Sequence, residues 1–166
     1  MFLIAYDGSD DAKAAVEHIA ELAPGQPAVV VTVWEPYVQL LTRYPATGNL
    51  LAAEDSEQID GASEADAERT AEEGAALGRT RGLEASGSAV MMRDSVADTL
   101  LAEADRLSAG AIVVGSRGLG GLGSLLLGSV SHALLQRADR AVVIVPSPKV
   151  ADKRKEKRHS RDDAGA

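Results

Sequence analysis

Short runs of apolar, mostly β-branched residues recur along the chain, with room for a helix between one run and the next. Four of them are apolar almost without interruption, as in parallel strands that are covered on both faces. They are Phe2–Tyr6, Ala28–Trp34, Ala111–Val114 and Ala141–Val145. A fifth and weaker run, Leu83–Val90, contains Gly87 and is typical of a less buried edge strand. The pattern therefore predicts five strands.

The segments between these runs carry apolar residues at helical spacing. The stripes are Val16, Ile19, Ala20 and Ala23 in the first segment, Val96, Leu100, Ala104 and Leu107 in a later one, and Val130, Ala133, Leu134 and Ala138 in the last. Pro24-Gly25 ends the first helix, and Ser95 with Asp98 resembles a capping box. The stretch Asp55–Arg81 is helical by propensity, although its apolar stripe is weak and mostly alanine.

Strands that alternate with helices indicate right-handed crossovers and a parallel sheet. We expect an α/β fold over residues 1–147, a single five-stranded doubly wound parallel sheet with helices on both faces. Ligands of such sheets bind outside the carboxyl ends of the strands, where the strand order reverses. The long segment Glu35–Leu51 is expected to be a lid or disordered. Residues 148–166 are expected to form a separate charged, basic C-terminal tail.

Composition narrows the classes of function. The 166 residues include no cysteine, which excludes thiol nucleophiles and zinc ribbons. A net charge of −8 argues against a general nucleic-acid binder, although residues 149–166 carry seven basic and four acidic side chains. We expect this tail to dock on the acidic body or to be disordered. No apolar run has the length of a membrane span and no signal-peptide pattern is present, so we expect a cytoplasmic protein without a membrane partner.

A glycine-rich segment follows the fourth predicted strand and leads into a helix that begins near Ser129. It contains Gly115, Gly118, Gly120, Gly121, Gly123 and Gly128. Glycines expose backbone N–H groups and permit positive φ angles, and a helix N-terminus attracts anions. Ser129 and Ser131 add hydroxyl donors, and Arg117 adds a positive charge. The segment predicts a phosphate-binding loop, with a merely flexible surface loop as the alternative.

Two common phosphate motifs do not fit this segment. The chain has no G-x-x-x-x-G-K-[ST], so it lacks the Walker P-loop. Residues 118–123 match G-x-G-x-x-G, but a dinucleotide fold needs an acid at the end of the next strand, and that strand ends in Val145-Pro146. The fingerprint also belongs at the first strand–helix turn, so we set the dehydrogenase interpretation aside.

A third spacing matches better. Gly115-x2-Gly118-x9-Gly128-Ser129 resembles the G-x2-G-x9-G-[ST] motif of the universal stress protein family, in its ATP-binding subset. The resemblance extends over residues 1–147 and includes the strand ending in Tyr6-Asp7-Gly8-Ser9 and the closing run AVVIVP. It implies the adenine nucleotide alpha hydrolase-like fold, binding of ATP with Mg²⁺ or Mn²⁺, and a homodimer through strand Ala141–Val145.

The resemblance also implies roles for individual residues. Asp7 would lie near the nucleoside, with Ala5 and Tyr6 beside it, and the backbone of Val33 would meet the adenine. The phosphate positions would be Gly115, Gly118, Gly128, Ser129 and Val130. Tyr6 is bulkier than the family's usual residue, and we expect it to narrow the pocket.

Each role has a structural alternative. Asp7 and Ser9 are also typical of a turn and helix entry, Val33 of a core strand, and Ser129 of a helix N-cap under either interpretation.

No catalytic group stands out. His18, His132 and His159 lack metal-ligand spacing, and no acid–base pair can be singled out. The leading hypothesis is therefore an ATP-binding regulator or sensor of the stress response rather than a fast enzyme. The alternatives are a slow ATP hydrolase or autophosphorylating protein, and a nucleotide-free dimeric interaction scaffold.

Overall fold

Five parallel strands form one sheet in the computed structural model of the chain, which describes residues 1–37, 39–40, 53–119 and 127–162. In chain order the strands are β1 (Phe2–Ala5), β2 (Pro27–Trp34), β3 (Glu84–Met91), β4 (Ala111–Gly115) and β5 (Ala141–Val145). They lie in the order β3-β2-β1-β4-β5, and all neighbouring pairs are parallel. The predicted fold class is confirmed, and the weak strand β3 lies at an edge as expected.

Helices connect the strands and add a C-terminal element. They are α1 (Asp10–Leu22), α2 (Ala53–Thr80), α3 (Val96–Arg106), α4 (Ser129–Arg137) and α5 (Pro148–Asp162). Ser9 caps α1 and Ser95 caps α3, because each side-chain oxygen accepts a hydrogen bond from the backbone N–H three residues later. The basic tail forms α5, so the alternative of a disordered tail is wrong for Pro148–Asp162.

The sheet separates two apolar cores. On one face it packs against α1 and α2, and there Ile4 and Val16 are fully buried. On the other face it packs against α3 and α4, and there Leu3 and Leu100 are buried. Because side chains alternate along a strand, β1 contributes to both cores and is covered on both sides.

The long helix α2 packs on the sheet through alanine and glycine. Ala71 and Ala75 are fully buried. Gly74 lies so close to the sheet that a Cβ atom there would be 2.8 Å from Val30 and 2.9 Å from Tyr6. The alanine stripe of α2 therefore packs by bringing the helix backbone close to the sheet, and not by burying large side chains.

The carboxyl ends of β1 and β4 lie side by side at the point where the strand order reverses. The chain leaves β1 toward α1 on one face of the sheet and leaves β4 toward α4 on the other, which opens a crevice between the two strand ends. Most of the predicted lid Glu35–Leu51, together with Gly120, Gly121 and Gly123, lies outside the described residues. Within the described ranges, no helix has the length and apolar character needed to span a membrane.

Candidate functional site

A cavity of about 510 Å³ opens at the carboxyl ends of β1 and β4. Every residue that the sequence predicted for a binding site lines it: Ala5, Tyr6, Asp7, Val33, Gly115, Arg117, Gly118, Gly128, Ser129, Val130 and Ser131. The tertiary structure thus brings together residues from β1, β2, β4 and the start of α4.

Six further residues line the cavity that no sequence motif indicates: Ala12, Val31, Val96, Leu100, Val114 and Leu127. Val96 and Leu100 belong to a helical stripe that the sequence predicts. Their spacing indicates the apolar face of a helix, but it does not indicate the cavity that this face borders. Together with Val31 and Val33 they make one wall of the cavity apolar.

The first turn of α4 presents open backbone donors to the cavity. Gly128 is the N-cap, no side chain caps the helix, and its first turn contains no acid. The N–H of Gly128 donates to the Ser116 carbonyl over 2.8 Å, and the helical hydrogen bonds begin with the N–H of His132. The N–H groups of Ser129 and Val130, like that of the next residue, therefore have no acceptor within the helix. The prediction that Ser129 is the N-cap is wrong, because Ser129 is already the first helical residue.

Ser131 is buried, and its hydroxyl lies 3.0 Å from the Gly128 carbonyl and 3.2 Å from the Ser116 carbonyl. A serine hydroxyl has one hydrogen, and these two carbonyls are its acceptors here. The Ser131 hydroxyl, which the sequence predicts as a donor to a ligand, is thus already hydrogen-bonded within the protein. The side chain of Ser131 thus fixes the start of α4 to the loop that follows β4.

Asp7 joins the end of β1 to the turn that follows β4. Its Oδ1 accepts the N–H of Ser9 over 3.0 Å, and its Oδ2 accepts the N–H of Leu119 over 3.1 Å. The first contact is the turn that the sequence offered as the alternative to ligand binding. The second contact shows that the carboxylate also holds the glycine-rich segment.

The described glycines of this segment let other atoms approach the backbone closely, and they do not provide an unusual backbone conformation. None of Gly115, Gly118 and Gly128 has a positive φ, so the left-handed backbone that glycine permits is not used at these three positions. A Cβ at Gly118 would lie 2.6 Å from Oδ2 of Asp7, and one at Gly115 would lie 2.8 Å from the Cβ of Asp11. A Cβ at Gly128 would lie 3.3 Å from the Cα of Arg117.

Val33 turns its backbone polar groups toward the cavity. The N–H of Met92 donates to the carbonyl of Trp34 over 2.7 Å, so that carbonyl points toward β3. Backbone groups alternate sides along a strand, and those of Val33 therefore point away from β3. On that side β1 has already ended at Ala5, which leaves room for a ligand.

The ring of Tyr6 lies on the α1 and α2 side of the sheet, away from the apolar wall. It is buried in that core, and its hydroxyl donates to Oε1 of Glu73 over 3.1 Å. Tyr6 nevertheless lines the cavity, and that it narrows the pocket stays a prediction. Burial, and after it the hydrogen bond to Glu73, raises the pKa of Tyr6. Lys13 and then Tyr6 hydrogen-bond to Glu73 and hold the pKa of Glu73 below its usual range.

Arg117 borders the cavity but leans on an acid that the sequence analysis did not single out. Its Nε lies 3.8 Å from Oδ2 of Asp11, in the first turn of α1. The same carboxylate oxygen accepts the Ser116 hydroxyl over 2.7 Å. Among the described residues no group of three or more acids, histidines or cysteines is arranged to hold a metal ion.

Residues 1–146 match the model of the universal stress protein family. The chain belongs to this family. Among its relatives, a universal stress protein of Mycolicibacterium smegmatis is 34% identical over 143 residues, which are 86% of this chain and 47% of that protein. The chain thus spans about half the length of that relative. The Thermus aquaticus universal stress protein in QAH/OAS sulfhydrylase 3'region is 33% identical over 145 residues, 86% of this chain and 96% of the relative.

Solved structures of universal stress proteins share the fold. One from Archaeoglobus fulgidus has a TM-score of 0.63 at 24% identity, covering 87% of this chain and 96% of its own. The Archaeoglobus fulgidus protein in complex with dAMP has a TM-score of 0.56 at 23% identity, with coverage of 87% and 95%. A universal stress protein in complex with cAMP has a TM-score of 0.61 at 22% identity, with coverage of 88% and 96%.

Proposed function

We propose that the cavity binds an adenine nucleotide, namely ATP with Mg²⁺ or Mn²⁺, and that the protein is a stress-response regulator or sensor rather than a fast enzyme. The observation that carries the proposal is the combination of an uncapped, acid-free helix N-terminus and an open strand backbone in one cavity. Family members that bind dAMP and cAMP support the choice of an adenine nucleotide.

The two ends of the cavity suit the two ends of ATP. The backbone N–H and C=O of Val33 offer a donor and an acceptor for the adenine edge, beside the apolar wall of Val96 and Leu100. The N–H groups of Ser129 and Val130, with the positive end of the α4 dipole, suit the phosphates. A metal ion would be carried by the phosphates and would neutralise part of their charge.

The contrast with α1 and α3 supports this assignment. α1 and α3 begin with a serine cap and acids in their first turns, which satisfy the N–H groups and the dipole internally. α4 has neither, so its N-terminus retains a capacity to bind an external anion.

The bound nucleotide would regulate by stabilising one arrangement of the strand ends. Asp7 already connects β1 with Leu119, and a nucleotide lying across β1 and β4 would strengthen or replace that connection. A ligand shifts such an equilibrium only by its difference in affinity for the two states. The regulated state would be one that a protein partner recognises.

We also propose a homodimer through β5. This strand is an edge of the sheet, and its partly buried residues leave an apolar strand edge that a second copy can pair with.

Isothermal titration of nucleotide-stripped protein with ATP and Mg²⁺ tests the proposal. We expect saturable binding by the wild type. In Ser129→Asp, a carboxylate at the exposed first position of α4 would favour the helix but repel phosphate, so affinity should fall at least about tenfold. Gln136→Glu is the matched control, because it adds the same charge at an exposed position near the other end of α4. A folded wild type that binds no nucleotide would favour the interaction scaffold instead.

A further inference from the structure

The first turn of α1 places the buried carboxylate of Asp11 next to Arg117, a positively charged residue that lines the cavity. Asp11 is only 5% exposed. Its one hydrogen-bonding side-chain partner among the described residues is Ser116, at 2.7 Å. The guanidinium of Arg117 lies just beyond hydrogen-bond distance, with Nε 3.8 Å from the same oxygen.

Arg117 has a guanidinium donor that is not used in a hydrogen bond. Its Nε is buried and makes no hydrogen bond, although the side chain as a whole is 20% exposed. A buried donor without a partner costs free energy, and a guanidinium can donate five hydrogen bonds. The backbone of Arg117 also lies close to Gly128, since a Cβ at Gly128 would be 3.3 Å from the Cα of Arg117.

We propose that Asp11 is an internal counter-ion that competes with the phosphates of a bound nucleotide for Arg117, and so limits the preference of the site for ATP over AMP and adenosine. This inference rests on the proposed function. The carboxylate draws the guanidinium toward α1 and adds a negative charge beside the place of the phosphates. A ligand with more phosphate charge competes harder for the guanidinium and also meets more repulsion from Asp11.

Asp11→Asn separates charge from shape. Asparagine is the same size and keeps an oxygen for the Ser116 hydroxyl, but it releases Arg117. We expect affinity for Mg-ATP to rise about tenfold, that for AMP to rise less, and that for adenosine to stay unchanged, at one fixed ionic strength. Asp10→Asn is the matched control, since Asp10 is exposed in the same helical turn and has no contact with Arg117 among the described interactions. It should leave all three affinities nearly unchanged.

A double-mutant cycle tests whether Asp11 acts through Arg117. In an Arg117→Gln background, Asp11→Asn should no longer tighten ATP binding. An equal gain in that background would mean a general charge effect and would overturn the inference. So would unchanged or weaker ATP binding by Asp11→Asn in the wild-type background.

Ser116→Ala gives a second test of opposite sign, which serves if Asp11→Asn does not fold. Without the hydroxyl, Arg117 is the one side-chain partner of Asp11 that remains among the described residues, so ATP binding should weaken about threefold while adenosine binding persists. Equal or tighter ATP binding would contradict the proposal.

Failure of the proposed function has a different signature. If adenosine and AMP do not bind to the wild type but inorganic pyrophosphate binds, and more tightly to Asp11→Asn, the nucleotide assignment fails and the counter-ion role stands. If neither protein binds any of these probes, both proposals fall.

Discussion

The carboxylate of Asp7 accepts a hydrogen bond from the backbone N–H of Leu119 over 3.1 Å, across 112 positions of the sequence. Gly118 makes this contact possible, because a Cβ there would lie 2.6 Å from the same carboxylate oxygen. Gly118 therefore has a structural task of its own. A substitution at Gly118 would disturb Asp7 whether or not a nucleotide is present.

Gly118→Ala should lower the free energy of unfolding by about 1–2 kcal/mol, because Asp7 must move and give up its bond to Leu119. Asp7→Ala should cost a similar amount. The double variant should cost about 1 kcal/mol less than the two single losses added together, since removing the carboxylate removes the clash. Urea unfolding measures all four proteins, and strict additivity would refute the coupling.

Two glycines of α2 make a matched pair. Gly74→Ala should destabilise the protein by about 1–3 kcal/mol, because its Cβ would press on Val30 and on the ring of Tyr6. Gly61→Ala, in the same helix, meets nothing within 4 Å and should stabilise the protein by up to about 1 kcal/mol. Thermal and urea unfolding would show the opposite signs. Stabilisation in both variants would mean that helix propensity, not packing, decides.

The buried hydroxyl of Tyr6 predicts a loss of stability at alkaline pH. Burial and the hydrogen bond to Glu73 raise its pKa in the folded protein, whereas in the unfolded chain it titrates near 10. A raised folded pKa contributes stability that is fully present below about pH 10 and is lost above it, by about 1.4 kcal/mol per pH unit.

Tyr6→Phe removes that titrating group and gives the control for this prediction. Its free energy of unfolding should fall less steeply between about pH 10 and 11 than that of the wild type. Absorbance of tyrosinate during titration of the two folded proteins would show that the hydroxyl of Tyr6 does not ionise in this pH range. Parallel pH profiles for the two proteins would contradict the burial argument.

The proposed dimer can be tested at the edge of β5. The N–H of Ser116 donates to the carbonyl of Val145, so Val145 turns its backbone toward β4, and alternation turns that of Val142 outward. Val142→Pro would remove one outward donor, which an edge strand tolerates. Sedimentation velocity should find a dimer for the wild type and a monomer for the variant at micromolar concentration. A wild type that sediments only as a monomer would end the dimer proposal.

The fold was predictable because its signals are local. Continuous apolar runs mark buried parallel strands, and the alternation with helices leaves few topologies open. The candidate site was predictable for a related reason. The carboxyl ends of parallel strands meet at one edge of the sheet, so Asp7, Val33 and the segment after Gly115 had to lie near one another.

The sequence did not predict how the side chain of Tyr6 packs or which residue caps α4. Tyr6 lines the cavity as predicted, but its ring packs in the core on the α1 and α2 side of the sheet, where Gly74 makes room for it. Ser129 was expected to cap α4, but Gly128 has that position and its N–H is taken by Ser116.

The sequence by itself determined the number of strands and their order along the chain, the helices between them, and one segment that lines the cavity, because periodicity and turn residues act over short distances. Only the tertiary structure decided why the described glycines are needed and how Arg117 is held. Both depend on contacts such as Ser116 with Asp11, which are 105 positions apart. Such pairs become neighbours only when β1 and β4 lie side by side, and no local pattern in the chain encodes the distance between them.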